Sequence, residues 1–122
     1  MGEKMDIQER TGNFAVRVIR AYVELSKRNY DDAGKVLAKQ FLRSGTSIGA
    51  NCAEATYAQS RNDLISKYSI AIKEASETQY WIKIMINAQL VSQKRFTAMQ
   101  DELTTIIKIL TTIINKLKSN YP

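Results

Sequence analysis

The chain has 122 residues, one cysteine, no histidine and a formal net charge of +6. That length gives one domain whose core needs no metal or disulfide support, and the missing histidine removes imidazole base catalysis and histidine metal ligation. The lone cysteine excludes an intrachain disulfide and fits a reducing compartment, while five glycines and a single proline, Pro122, favour long helices over a many-stranded sheet.

The opening residues, Met1 to Asp6, hold no apolar stretch of the kind a secretion signal needs, and Asp6 stands where myristoylation wants Ser or Thr. No run approaches the roughly 18 apolar residues of a membrane span, so a cytoplasmic location is expected. Helix 1 is predicted over 13–28, with Phe14, Val18, Ala21, Tyr22 and Leu25 on the core face and Arg17, Arg20, Lys27 and Arg28 on another arc. Asn29-Tyr30-Asp31-Asp32 is the turn, and Asp31 or Asp32 can cap helix 2 over 32–59. In helix 2 the stripe Leu37, Phe41, Ser44, Ile48, Cys52 and Ala55 runs straight through Gly45 and Gly49. Each glycine costs about 1 kcal/mol in a helix interior relative to alanine, so the stripe predicts a helix packed closely against a surface without bulky side chains. The segment Gly45-Thr46-Ser47-Ile48-Gly49 is no phosphate loop, because the Gly-Lys-Ser/Thr ending and a preceding strand are missing. It is no membrane dimer motif either, since Arg43, Asn51 and Glu54 share the helix.

Ser60, with Asp63 three residues on, starts helix 3 over 61–90, which is expected to bury Leu64, Tyr68, Ala71, Ile72, Ala75, Ile82 and Ile86. Ser92 restarts the chain into helix 4 over 93–118. There Phe96, Met99, Leu103, Ile106, Leu110, Ile113 and Leu117 alternate at spacings of three and four, the seam of a bundle helix. Short connections make neighbours antiparallel, so the predicted fold is an all-α, up-down-up-down four-helix bundle forming a single domain.

Apolar residues remain once one core is filled. Val16, Ile19 and Val23 make a second stripe on helix 1, and Trp81, Ile84, Ala88 and Val91 another on helix 3. Tolerated exposure explains scattered residues of this kind; contiguous stripes on two helices predict the interface of a homo-oligomer, with Val16, Ile19, Val23, Trp81 and Ile84 near the contacts.

Helix 2 also carries a polar ridge of Gln40, Arg43, Ser47, Asn51 and Glu54, and helix 3 carries Lys67, Ile70, Glu74, Glu77 and Trp81 at matching spacings. A reversal around Ser60-Arg61 sets Glu54 by Lys67, Ser47 by Glu74, and Arg43 by Glu77 or Thr78. The ridge reads as a seam that fixes register, with a polar ligand pocket as the alternative. Cys52, among Ala50, Ala53 and Ala55, reads as a small hydrophobe. Glu54, Glu74 and Glu77 lack the Glu-x-x-His partners of a di-iron bundle. No catalytic residue, metal site or cofactor is expected, and the chain reads as a non-enzyme. Arg10, Arg61, Lys67, Lys116 and Lys118 gather at one end of the predicted bundle, with Tyr57 and Tyr121 available for stacking, and there they can contact structured RNA. Glu9 and Asp63 offset part of that charge, and solubility alone is the other reading of the surplus.

The segment Leu42-Arg43-Ser44-Gly45-Thr46-Ser47-Ile48-Gly49-Ala50-Asn51 and its continuation to Ala55, with a second segment from Ser69 to Trp81, resemble the 23S rRNA intervening-sequence protein family of small bacterial four-helix bundles. The resemblance covers nearly the whole chain, and Cys52 stands where an aliphatic residue is more usual. The accessory variability determinant of diversity-generating retroelements, a basic ring-forming protein that binds a reverse transcriptase and nucleic acid, is similar in fold. The resemblance thus implies a bacterial, non-catalytic homo-oligomer, a ring with a pentamer as the expected form. RNA or a nucleoprotein is the implied partner, and recruitment of a protein such as a reverse transcriptase without nucleic-acid contact is the alternative. Arg43, Ser47, Asn51, Glu54, Glu74 and Glu77 match the structural signature. The family name reflects where some of its genes lie, and it supplies no active site to carry over.

Overall fold

A computed structural model describes residues 6–28 and 31–119, which form four helices: α1 (Ile7–Ser26), α2 (Asp32–Ala55), α3 (Arg61–Asn87) and α4 (Gln93–Ser119). They stand at the corners of a square, each beside its neighbours in sequence, with α4 closing on α1. The result is an all-α antiparallel four-helix bundle, and the α1–α4 side is by far its loosest. Tyr121 lies outside the described residues.

The caps explain where the helices begin. Asp6 accepts a hydrogen bond from the Glu9 backbone N–H at 2.8 Å, so α1 starts six residues before the expected 13. The pattern Asp6-x-x-Glu9 is a capping signal, and it outweighs the helix penalty of Gly12. Asp31 caps α2 through the Gly34 N–H, and Ser60 caps α3 through that of Asp63. Three helices end earlier than predicted: α1 at Ser26 instead of residue 28, α2 at Ala55 instead of residue 59, and α3 at Asn87 instead of residue 90. At the end of α3, Gln89 takes a positive φ of 62° while the Leu90 N–H returns to the Met85 carbonyl and the Gln89 N–H to that of Ile86. This is the left-handed termination usually signalled by glycine, and a glutamine there gives no cue in the sequence.

The core is built from Phe14 and Val18 of α1, Phe41, Ile48 and Cys52 of α2, Ala71, Ala75, Ile82 and Met85 of α3, and Phe96, Leu103, Ile106 and Leu110 of α4. Phe41 and Phe96 meet edge to face across the bundle diagonal, ring centroids 5.9 Å apart. On α4 the seam ends on Ile114, not on Ile113 and Leu117, which are only half-buried. A straight helix at 3.6 residues per turn drifts about 20° per heptad from a strict 3-4 pattern, enough to turn Ile113 outward. On α3 the surprise is chemical. Thr78 is fully buried, whereas Leu64, Tyr68, Ile72 and Ile86 are only partly so.

Two of the helical glycines of α2, Gly45 and Gly49, lie against α1. A Cβ on Gly45 would sit 2.7 and 2.8 Å from the two methyls of Val18, a fully buried β-branched side chain with no room to move. A Cβ on Gly49 would sit 3.1 Å from the Thr11 carbonyl oxygen. Gly12 faces open space. Gly45→Ala should therefore lower stability by about 1–2 kcal/mol, overpacking outweighing the helix propensity gained. Gly12→Ala should raise it by about 0.5–1 kcal/mol. Equilibrium urea denaturation reads both changes, and a stabilised Gly45→Ala would show that the close approach is permissive.

Candidate functional site

Three surfaces stand out once the core is accounted for. The first is the outer seam between α2 and α3. Arg43 pairs with Glu77, and its Nη2 lies 3.4 Å from Oε1 of Glu74; Lys67 reaches Glu54 at 3.0 Å. The hydrogen bond from Lys67 to Glu54 holds the ammonium pKa above its ordinary value. Trp81 donates from Nε1 to Glu77 at 3.3 Å, which ties the indole to the cluster. Ser47 and Asn51 do not join across the seam: Ser47 donates to the Arg43 carbonyl, and Asn51 to that of Ser47. Both satisfy backbone acceptors one turn back on their own helix. The polar link that does cross the core is the hydroxyl pair Thr78–Ser44 at 2.9 Å. Glu74 Oε1 is buried without a hydrogen bond, so Arg43 is the group that offsets its charge.

The second surface is the outward face of α1. Val16, Ile19 and Val23 are 44%, 46% and 46% exposed, and with Gly12 they recur at spacings of four, three and four. That is the repeat of a coiled-coil contact stripe. Trp81 and Ile84, on the diagonally opposite α3, are half-buried. Ala88 is exposed, and Val91 belongs to the core.

The third is electrostatic. Among the described residues, the end of the bundle holding the α1 C-terminus carries Arg20, Lys27, Arg28, Lys35, Lys39, Lys83, Lys94 and Arg95 against only Glu24, Asp31 and Asp32. The opposite end holds Arg10, Arg61, Lys67, Lys108, Lys116 and Lys118 against Asp6, Glu9, Glu54 and Asp63. The expected contact set Arg10, Arg61, Lys67, Lys116 and Lys118 thus occupies the less basic end. Two of its members face different sides, Arg10 forked onto Glu102 at 2.7 and 3.1 Å and Lys67 on Glu54. At the more basic end, Tyr22, Arg28, Lys35 and Lys39 line a depression of about 160 Å³, and Arg28 and Arg95 border a second of about 110 Å³. Sequence reading set its cationic cluster at the other end and left this one uncounted. Counting charge by helix end, once the up-down topology is accepted, recovers it.

Cys52 is fully buried, and burial pushes its thiol up to about 11, against a smaller lowering by Thr11. Among the described residues no group of three or more Cys, Asp or Glu side chains is arranged to hold a metal ion, and no helix is long and apolar enough to cross a membrane.

The family model for the 23S rRNA-intervening sequence protein matches residues 3–112. The chain belongs to that family. A crystal structure of a protein of unknown function from the S23 ribosomal protein family of Bacteroides thetaiotaomicron is 40% identical, with a TM-score of 0.82 over 89% of this chain and 98% of that one. No curated protein matches. In this chain the two segments that carry the family resemblance, Leu42–Ala55 and Ser69–Trp81, lie on facing helices and meet through Ser44–Thr78 and Arg43–Glu77.

Arg43→Leu should cost about 2 kcal/mol, because it strands the buried Glu74 oxygen, and adding Glu74→Leu should recover part of the loss. Additive losses in denaturation would contradict the pairing. For Cys52, iodoacetamide should react slowly at neutral pH and quickly only in unfolding urea. Since the folded thiol holds its proton more tightly than the ordinary value of 9.0, its contribution to stability is complete below pH 9.0 and is lost as pH rises towards about 11. Cys52→Ala should flatten that part of the stability profile.

Proposed function

We propose that this protein is a non-catalytic, homo-oligomeric accessory protein of the bacterial cytoplasm that binds RNA or a nucleoprotein. The observation that carries the reading is the excess of positive over negative side chains at one end of the bundle, around Lys35, Lys39, Lys94 and Arg95. A surface of this kind neutralises phosphates without reading bases, so binding is electrostatic and tolerant of sequence. The proposal sets the phosphate contacts there, at the opposite end from Arg10, Arg61, Lys67, Lys116 and Lys118.

Self-association follows from the apolar stripes. The α1 stripe and the Trp81–Ile84 face lie on diagonal helices, so a contact between them joins unlike surfaces of two copies. Such head-to-tail contacts form a ring where the rotation between copies closes, and a ring of five copies is what the family resemblance implies. Repetition of the basic end in every copy multiplies a weak single contact by avidity.

Fluorescence anisotropy with a structured RNA hairpin tests the reading. Affinity should fall with salt, and Lys35→Glu, Lys39→Glu and Arg95→Glu together should reduce the log–log slope by about 2–3, each lost phosphate contact removing about 0.7–0.9. Lys116→Glu with Lys118→Glu should leave the slope nearly unchanged. Light scattering should give a multi-subunit mass, and Ile19→Glu should shift it to the monomer and weaken RNA binding. Absence of RNA binding at low salt by an intact oligomer would overturn the nucleic-acid reading; a monomer mass at micromolar concentration would overturn the assembly.

A further inference from the structure

The loose α1–α4 side opens into a groove of about 660 Å³ at the bundle end away from the basic cluster. On its α4 wall Thr105, Lys108, Ile109, Thr112, Ile113 and Lys116 recur at helical spacing, and Ile7 and Arg10 form the α1 wall. Ile109 and Ile113, one turn apart, are half-buried but stand outside the packed core. The two hydroxyls of this wall are already spent on their own helix, Thr105 on the Asp101 carbonyl and Thr112 on that of Lys108. The polar demand of the groove is therefore cationic. Lys108 and Lys116 have no acid within ion-pair reach among the described residues, and Arg10 is held by Glu102. The one carboxylate in the lining, Asp6, accepts the capping N–H of α1.

We propose that this groove docks an acidic amphipathic helix of a partner protein, whose apolar residues one turn apart sit on Ile109 and Ile113 and whose carboxylates meet Lys108 and Lys116. The charge of the rim and the apolar floor select this occupant together. Lys108 and Lys116 stand eight residues apart, roughly 12 Å along the helix, so the partner's carboxylates lie two turns apart on a helix of about three turns. A nucleic acid strand fits worse. The apolar floor of Ile109 and Ile113 offers nothing to phosphates, and no aromatic residue lines the groove for bases to stack on. The site lies apart from the basic end, so this inference and RNA binding stand or fall separately.

The test uses the full chain and a fluorescein-labelled twelve-residue helical peptide carrying two leucines four residues apart and glutamates eight residues apart. Anisotropy should report saturable binding, and amide chemical shifts should move in residues 7–10 and 105–116. Lys108→Glu with Lys116→Glu, at two exposed positions outside the core, should leave the fold intact by circular dichroism and weaken binding at least about tenfold. A peptide with lysines in place of the glutamates should not bind wild type and should regain binding to that double variant. No binding, equal binding of both peptides, or shifts confined to the basic end would overturn the proposal. So would an RNA hairpin that moves the same 105–116 amides, or a fall in subunit number on Ile113→Glu, which would assign the groove to nucleic acid or to a second copy of the chain.

Discussion

The contact on which the rest of the bundle depends is the approach of α2 to α1 at Gly45 and Gly49. With no Cβ at either position, the α2 backbone comes within van der Waals reach of Val18 and of the Thr11 carbonyl. That closeness fixes the axial register of the first two helices, because sliding by one residue would drive Val18 or Thr11 into a side chain. The opposite flank of the same α2 segment then engages α3 through Ser44–Thr78 and Arg43–Glu77. One stretch of helix thus sets two registers, small residues on one side and hydrogen-bonding residues on the other. The two glycines lose helix propensity, and the close packing of Val18 and Thr11 against them offsets that loss.

The surfaces available for function follow from this order of packing. Tight α1–α2 and α2–α3 sides leave α4 to close loosely on α1, with the Arg10–Glu102 fork at one end of the groove and the rest of the groove open. The α1 face turned away from α2 and α4 keeps Val16, Ile19 and Val23 in solvent. Charge divides between the ends because the loops and first turns at the α1 C-terminal end supply lysines and arginines, while acids cap helices at both ends. Membership of the 23S rRNA-intervening sequence protein family agrees with the fold; it leaves the occupant of each surface to chemistry.

Much of the fold was legible because hydrophobic period carries it. The helix 2 stripe through both glycines, the cap at Ser60 and most of the helix 4 seam follow from spacing alone, and the antiparallel arithmetic brought Arg43 to Glu77 and Glu54 to Lys67. The failures have particular causes. The start of α1 at the Asp6 cap precedes the apolar stripe that begins at Phe14, so hydrophobic period alone does not reach it. The end of α3 was hidden by a left-handed glutamine, a conformation no residue type announces except glycine and, at times, asparagine. Ile114 replaced Ile113 because helical drift accumulates over 20 residues. Ser47 and Asn51 sat at cross-seam positions but chose backbone partners, a competition that residue identity does not resolve. Of the candidate surfaces, the apolar stripe was readable in one helix, whereas the basic end and the α1–α4 groove exist only where separate helices meet.

A double-mutant cycle between Val18→Ala and Gly45→Ala tests the central contact most directly. If the α2 backbone packs on the Val18 methyls, Gly45→Ala should be destabilising in the parent chain and nearly neutral or stabilising once Val18 is alanine, with a coupling of about 1 kcal/mol or more. Additive changes, with Gly45→Ala equally costly in both backgrounds, would show that the glycine serves something other than this approach.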